Sequence, residues 1–327
     1  MKNNDNKTIY RQFCEDHHRK NTENTPLSIF AQAWFLDAVC GQDNWGVCVD
    51  IGQNGRINGV LPYFFTKKWG VSIIQQPVLT GYIGLWIHHE PHWNAHQKAS
   101  QERGVLKNLI AQLPKVAFLS QAYPPYFQNW LPFYWAGFEQ SARMTHILRG
   151  LKNPEMLIKN FKDNVRKKIK KASTSITTET TDDVDLVYAL YNEIMATKGR
   201  KMSYSQSFLR HLHAQIKENK AGELYKAVDR KGAIHAAVYI VWDKTSAYYW
   251  LGGSAIAHRN SGALTLLLWE IMQDVGKRGI DNFDFTGSDL ENLESFFAAF
   301  NPEKQTYFKV TRYGHPVLKR LDKIFRG

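Results

Sequence analysis

Cysteine is scarce in this chain, and long apolar stretches are missing from its sequence. Three cysteines, Cys14, Cys40 and Cys48, occur in 327 residues, and their spacing matches no zinc-binding pattern. An odd, low number predicts reduced thiols, with Cys40 and Cys48 buried. No apolar run approaches the roughly 18 residues that a membrane-spanning helix needs. The polar start over 1–5 lacks the apolar core of a secretory signal, so these features favour a cytoplasmic protein.

Several catalytic motifs are also missing from the sequence. It contains no Gly-x-Ser-x-Gly turn, no P-loop and no dinucleotide fingerprint, which argues against a hydrolase, an NTPase and a dehydrogenase. Histidines cluster over 88–96, but Pro91 and the missing acidic partner depart from a zinc-protease pattern. We therefore expect no metal site. The pair His17 and His18 lies in a polar stretch and is expected to be exposed.

The two halves of the chain repeat one order of predicted elements. Periodicity and turn residues predict the first set as strands 45–51, 56–65 and 71–76, helix 95–113, strand 116–122, helix 126–138 and strand 140–148. The second set is strands 223–229, 233–242 and 247–252, helix 261–277, strand 282–286, helix 290–300 and strand 306–313. Helices 28–39 and 206–220 precede the two sets. Such a repeat predicts two mixed α/β units with a cleft where function resides.

The charge balance is basic, with a net charge of +12. The stretch Lys159–Lys171 holds seven cations, and Asn153 followed by Pro154 predicts the start of one continuous helix up to Ala172. Its apolar residues recur at steps of three and four, so one stripe packs inward while the cations face outward. The cations are either a solvated face or a platform for phosphates. Candidate substrate contacts on it are Arg166, Lys167 and Lys170.

The stretch between the halves, 173–182, predicts an exposed strand, because it is rich in β-branched residues and lacks glycine and proline. Thr181 or Asp182 then caps a helix that runs to about residue 197.

Segments of the second half resemble a known family. Phe161–Lys171 is similar to the basic helix that opens the second domain of the tandem GNAT-fold acyltransferases, which include Fem-like aminoacyl transferases and cellulose-biosynthesis-type acetyltransferases. The hairpin 230–254 and the segments 269–272 and 283–287 follow in the family's order. The resemblance implies an α/β (α+β) fold of two GNAT-like mixed-sheet domains in tandem, with helices on both faces. It also implies a domain over 1–150 without a donor site and a domain over 151–327 with one.

The resemblance implies an acyl-donor loop before helix 261–277. In a GNAT domain, exposed N–H groups and a helix N-terminus receive the pyrophosphate of the donor. Gly262 permits a close approach by phosphate, and Arg259 can pair with it through two hydrogen bonds. Leu264 stands where the family has a small residue, and an ordinary loop with Ser261 as helix cap is the alternative. The matching positions are Arg259, Asn260, Ser261, Gly262 and Ala263.

Two departures from the family bear on the identity of the donor. Phe297 stands where Fem-type enzymes carry a lysine associated with aminoacyl-tRNA, and Asn301 stands where they carry glycine. Lys304 and Lys309 are the nearby basic residues. The resemblance then implies acyl-CoA as co-substrate, with no permanently bound cofactor, and tRNA as the alternative donor.

Attack of an amine or hydroxyl on a thioester needs a proton acceptor and a proton donor. Tyr248 and Tyr249 lie on opposite faces of one predicted strand, as cleft residues or as core aromatics. Asp284 lies between two apolar residues and either serves a structural loop or lines the acceptor pocket. Tyr249 and Asp284 are the candidate catalytic residues.

In the tandem family the first half supplies the wall for the acceptor. The loop 76–84 fits such a role, since its glycines permit a close approach and Tyr82 offers a flat ring to a sugar. The aromatic residues over 123–135 either stack on sugars or, given their helical spacing, belong to the core.

These features predict an acyltransferase acting on a sugar, amino sugar or lipid-linked cell-envelope precursor. Aminoacyl transfer from tRNA is one alternative. A non-catalytic module whose basic helix binds nucleic acid or an anionic membrane surface is another.

Overall fold

The computed structural model describes residues 2–19, 27–68, 70–287, 291–315 and 319. The chain forms two compact units, one of Met1–Arg143 with Thr306–Gly327 and the other of Met144–Gln305. The division predicted at residue 150, with a donor site in the later part alone, stays a prediction.

Helices and strands alternate along both units. The described helices are α1 (Lys2–Arg19), α2 (Ala33–Cys40), α3 (Ala95–Gln112), α4 (Leu131–Trp135), α5 (Pro154–Lys159), α6 (Asp163–Ala172), α7 (Val184–Ala196), α8 (Gln206–Glu218), α9 (Ala263–Lys277) and α10 (Glu291–Ala298). The described strands are β1 (Trp45–Ile51), β2 (Ile57–Lys68), β3 (Val71–Gln75), β4 (Trp86–Ile87), β5 (Phe118–Ala122), β6 (Glu139–Arg149), β7 (Ile176–Thr181), β8 (Gly222–Asp229), β9 (Ile234–Trp242), β10 (Ser246–Ser254), β11 (Asn282–Asp284) and β12 (Glu303–Tyr313).

The sheet of the first unit runs in the order β1-β2-β3-β5-β12, with β4 paired to β2. Among the strand pairs of this unit that the structure describes, only β3–β5 is parallel, and it joins Ile73 to Phe118 and Ile74 to Leu119. Helix α3 packs on β1 and β2. The core of this unit forms around its buried face, which includes Val105, Leu106 and Leu109.

The sheet of the second unit runs in the order β6-β11-β10-β9-β8-β7. Again a single pair, β10–β11, is parallel. Side chains of β9 alternate between the two faces of the sheet. Val238 and Ile240 join the core cluster that includes α9, whereas Tyr239 hydrogen-bonds His213 of α8 at 2.8 Å. Helices therefore cover both faces, as predicted.

Most predicted elements are confirmed, but three helical predictions are wrong in extent. Helix 28–39 is a 3₁₀ turn (Ile29–Ala31) followed by α2. Helix 126–138 shrinks to α4, because Pro132 lies within the predicted span and is tolerated only in the first turn of a helix, so that α4 begins at Leu131. Trp135 of α4 is 63% exposed, so this aromatic is not a core residue. Leu290, the predicted first residue of a later helix, lies outside the described residues.

The basic helix predicted over 153–172 is two helices. Asn153 caps α5, accepting from the Met156 N–H at 3.3 Å, as predicted. The chain then turns, and α6 starts after Lys162. The stripe is confirmed nonetheless, since Val165, Ile169 and Ala172 are buried. The next helix, α7, is capped by Asp183 rather than by either predicted residue.

Helix α1 was not predicted. Its residues Tyr10, Cys14 and His17 are buried at helical spacing, which corrects the expectation that His17 is exposed. His17 Nε2 accepts a hydrogen bond from the Leu27 N–H at 3.2 Å. The side chain of His18 lies outside the described set. All three cysteines are free and buried, which confirms the prediction for Cys40 and Cys48.

Two helical glycines give opposite predictions for replacement by alanine. A β-carbon on Gly276 of α9 would lie 2.2 Å from the Leu151 carbonyl oxygen, whereas one on Gly104 of α3 would meet nothing within 4 Å. We expect Gly276→Ala to destabilise the protein by about 1–3 kcal/mol through overpacking. Gly104→Ala should stabilise it by roughly 0.5–1 kcal/mol through helix propensity. Urea unfolding of both variants measures this, and equal effects would contradict the packing described for α9.

Candidate active site

Strands β10 and β11 separate after three residue pairs. The last pair joins Tyr248 to Asp284, and beyond it β11 ends while β10 continues to Ser254. On its other side, β10 stays paired with β9, with a register shift between Tyr249 and Leu251. A gap therefore opens within the sheet of the second unit. It is bordered by residues Tyr249–Ser254 of β10 and by the turn after Asp284.

Side-chain hydroxyl groups donate hydrogen bonds to carbonyl groups of β10 in this gap. Thr286 Oγ1 donates to the Tyr249 carbonyl at 2.7 Å. Tyr249 Oη donates to the Gly252 carbonyl at 2.9 Å. Burial raises the pKa of Tyr249 well above its ordinary value, so the phenol keeps its proton. Tyr248 faces the other way and donates to Asp243 Oδ2 at 2.8 Å, so Tyr249 is the tyrosine at the gap.

Asp284 supports the turn beside the gap. It is 3% exposed. Its Oδ1 accepts from Thr145 Oγ1 at 2.6 Å and from the Thr286 N–H at 2.8 Å. Of the two roles predicted for Asp284, these contacts fit the one in which it supports a structural loop. Thr286 has a φ of +58°, a left-handed conformation that costs a β-branched residue energy, so the Asp284 contacts help to hold it.

The predicted donor loop leads into helix α9. Gly262 is the N-cap, with a φ of +79°. The Ala263 N–H donates to Ser261 Oγ at 3.2 Å, so Ser261 serves the helix end although it is not the N-cap. Arg259 and Asn260 are exposed. The remaining N–H groups of the first turn lack intrahelical partners, as at any helix start, and carry the positive end of the helix dipole.

Helix α6 flanks this helix start. A β-carbon placed on Gly262 would lie 3.5 Å from the Lys168 carbonyl oxygen and 3.6 Å from Ala172 Cβ. The Lys168 side chain is exposed. Lys168 was not among the three cations predicted to contact substrate, although its spacing of four from buried Ala172 pointed to this edge of α6. The backbone and the β-carbon of Lys168 therefore lie close to the α9 N-terminus.

The predicted substrate residues of α6 lie on its exposed face. Arg166 donates to the Lys159 carbonyl at 3.0 Å and pairs with Asp163. Lys167 and Lys170 are exposed as well.

The first unit closes the place that corresponds to the gap. Its only parallel pair, β3–β5, is followed by the loop 76–83, which bonds the backbone of Ala122. Gln76 Oε1 accepts from the Ala122 N–H at 3.0 Å, and the Ile83 N–H donates to the Ala122 carbonyl at 2.8 Å. Tyr82 is 1% exposed, with its ring 4.9 Å from that of Tyr307. Its ring therefore presents no face to a sugar in this structure.

Histidines form pairs rather than a metal centre. His88 contacts Glu90, and His89 contacts Glu102, each at 3.1 Å. Across the described ranges, no group of three or more His, Cys, Asp or Glu side chains is placed to hold a metal ion. Within the same ranges, no helix combines the length and apolar character needed to cross a membrane.

Comparison with known proteins identifies a domain within the second half of the chain. No curated protein matches the chain significantly. Residues 159–295 match the family model described as an acetyltransferase (GNAT) domain. This segment of the chain is therefore a GNAT-type domain. The predictions of a GNAT-type enzyme and of its α/β class are thus confirmed.

Solved structures share the fold over most of the chain. The protein is similar to FemX, with a TM-score of 0.67, 12% identity and coverage of 92% of this chain and 95% of that chain. It is similar to the C-terminal domain of a putative lysylphosphatidylglycerol synthetase from Agrobacterium fabrum (TM-score 0.53, 12% identity, 93% and 92% covered). A tandem GNAT protein from the clavulanic acid biosynthesis pathway gives a TM-score of 0.52 at 13% identity, with 94% and 96% covered.

Two replacements of Asp284 separate the loss of its acceptor from the loss of its charge. Asp284→Ala leaves the Thr145 hydroxyl and the Thr286 N–H without their acceptor, at about 1–3 kcal/mol for each buried group. Asp284→Asn keeps one acceptor oxygen and should lose less stability. Chemical unfolding of both variants measures the difference, and an alanine variant as stable as the wild type would contradict the supporting role.

Proposed function

We propose that the protein transfers an acyl group from acyl-CoA to an amine or hydroxyl on a sugar or cell-envelope precursor. The observation that supports this most directly is the gap between β10 and β11 in the unit that also contains the start of α9 at Gly262. The three free, buried cysteines are compatible with a reducing cytoplasm as the place of the reaction.

The α9 start suits the pyrophosphate of coenzyme A. Backbone N–H groups and the helix dipole favour an anion there. Gly262 adopts the left-handed backbone that favours glycine and packs against α6, and its neighbours Lys168 and Arg259 add positive charge. In the proposal, Arg259, Asn260, Ser261, Gly262 and Ala263 form the donor loop, and the acyl end of the donor extends along β10 into the gap.

The second unit is the proposed donor domain because the two units differ at the corresponding place. In the first unit, loop 76–83 bonds the Ala122 backbone beside β3. Its helix α3 begins with a capping box, in which Asn94 and Gln97 satisfy each other's backbone N–H groups. In the second unit, β10 runs on beyond β11, and glycine begins the helix. These contrasts support a donor site in the second unit alone.

Acyl transfer requires the acceptor nitrogen or oxygen to form a bond to the thioester carbon while the carbon–sulfur bond breaks. We assign Tyr249 as the candidate proton donor to the departing thiolate, because its hydroxyl lies in the gap, where it donates to the Gly252 carbonyl. Asp284 is then a positioning residue, since it fixes the turn whose Thr286 hydroxyl binds the Tyr249 carbonyl.

The positive charge of helix α6 suggests the class of acceptor. Arg166, Lys167 and Lys170 present exposed cations on α6, which suit the phosphates of a nucleotide-linked or lipid-linked precursor. The same face would allow peripheral contact with an anionic membrane surface.

Aminoacyl-tRNA is the second candidate donor. It is supported by the density of exposed cations over α5 and α6 and by the fold shared with FemX. Phe297, at the position where the Fem-type lysine is expected, is 2% exposed in the core and cannot bind a tRNA end.

Acetyl-CoA should raise the melting temperature of the protein, because a ligand that binds only the folded state stabilises it. Arg259→Ala and Lys168→Ala should each reduce this shift at fixed ligand concentration, since each removes a cation beside the α9 start. Thermal-shift measurement with acetyl-CoA tests this. Arg103→Ala, an exposed arginine of α3, is the matched control and should keep the full shift.

Longer acyl-CoAs, deacylated tRNA and a nucleotide sugar complete the screen. Stabilisation by tRNA alone, with a steep loss in salt, would replace acyl-CoA by aminoacyl-tRNA. An undiminished shift in Arg259→Ala and Lys168→Ala would remove the assignment of the donor loop.

A further inference from the structure

His146 is a buried histidine whose ring lacks hydrogen bonds. It lies on β6 and is 2% exposed. Neither Nδ1 nor Nε2 has a hydrogen-bond partner within the described residues. The nearest carboxylate oxygen, Glu294 Oε1, is 3.6 Å from Nε2, beyond hydrogen-bonding distance. A buried polar group without a partner costs about 1–3 kcal/mol, so its presence calls for an explanation.

His146 lies beside the point where the pairing of β10 with β11 ends. Its carbonyl accepts from the Phe285 N–H at 3.0 Å, and Phe285 is the first residue past the last pair. The His146 ring centroid lies 6.3 Å from that of Phe297, which in turn lies 6.0 Å from that of Tyr249. His146 and Tyr249 thus flank one aromatic ring of α10 beside the gap.

Two charged groups face His146. Glu294 of α10 approaches its Nε2, and Lys304 Nζ pairs with Glu294 Oε1 at 2.7 Å. Lys304, above all, holds the pKa of Glu294 low, so its carboxylate stays charged. Burial lowers the pKa of His146, and the Glu294 charge opposes this effect only in part. The ring is therefore neutral near pH 7 and has a free acceptor nitrogen.

We propose that His146 is the proton acceptor of the acyl transfer, with Glu294 as the residue that positions and stabilises its protonated ring. This inference rests on the proposed function. The acceptor amine or hydroxyl forms a bond to the acyl carbon and releases its proton to a ring nitrogen of His146. The carbon–sulfur bond breaks, and the thiolate of coenzyme A takes a proton from Tyr249. The proton on His146 then returns to the phenolate through solvent, which restores both residues.

The geometry suits a temporary positive charge. When the ring becomes protonated, Glu294 at 3.6 Å stabilises the imidazolium, and Lys304 prevents the carboxylate from taking the proton itself. A residue held neutral by burial and stabilised when charged by one carboxylate has the properties of a general base that works near neutral pH.

The direct test compares His146→Asn with His211→Asn, whose histidine lies exposed on α8. Thiol release from acetyl-CoA is measured with glucosamine and with water as acceptors. The rate should fall about 10²–10⁴-fold in His146→Asn and stay unchanged in His211→Asn. The thermal shift with acetyl-CoA should remain in both, because the donor loop is intact. Loss of turnover without loss of binding separates a proton-transfer role from a structural one.

The pH profile gives the second readout. The neutral ring is the active base, so the wild-type rate should rise with pH through the pKa of His146 and level off above it. That limb should lie below about pH 6.5 and vanish in His146→Asn. Glu294→Gln should move the limb to lower pH, since it removes the charge that raises this pKa.

Nuclear magnetic resonance of the wild-type histidine rings gives a test that needs neither a folded variant nor a reactive acceptor. Acetyl-CoA should shift the ring signals of His146 and leave those of His211 in place. If acetyl-CoA stabilises the protein but leaves the His146 signals unchanged, or if His146→Asn keeps full turnover, this inference fails while the proposed function stands. If acetyl-CoA does not stabilise the protein at all, the proposed donor is wrong and the inference fails with it.

Discussion

The early end of the parallel pairing between β10 and β11 is the constraint on which the site depends. A strand that loses its neighbour must satisfy its backbone groups elsewhere. Here the Thr286 hydroxyl donates a hydrogen bond to the Tyr249 carbonyl, and the Tyr249 hydroxyl donates one to the Gly252 carbonyl. These local bonds, together with the pairing to β9, keep β10 extended beyond the end of β11. The gap therefore persists as part of the fold, and Tyr249, Asp284 and His146 gather around its closed end.

The two units show how one fold can keep or lose such a gap. In the first unit, the Gln76 side chain and the Ile83 N–H hydrogen-bond the backbone of Ala122, and side chains cap the start of helix α3. In the second unit, the corresponding helix starts at Gly262, against the edge of basic helix α6. The difference lies in a few polar contacts rather than in topology, since among the described strands each sheet contains one parallel pair flanked by antiparallel ones.

Periodicity predicted β1 to the residue and most strands of both units, because alternation and turn residues are local signals. Helix α1 was missed, since its buried Tyr10, Cys14 and His17 sit in a polar sequence whose packing is set by distant segments. The break between α5 and α6 was also missed, because the apolar stripe continues across it. The proposed donor loop was predicted from the family resemblance and its glycine, whereas Lys168 and His146 became visible only through contacts with other strands and helices.

The central claim is that the gap and the α9 start receive an acyl carrier. Hydrogen–deuterium exchange with and without acetyl-CoA tests it most directly, because bound phosphate and pantetheine protect the amides that they contact. The account predicts slower exchange in the second half of β10 and in the first turn of α9, with little change over β3 and β5. Protection confined to the first unit, or stabilisation by acetyl-CoA without protection of the β10–α9 segment, would contradict it.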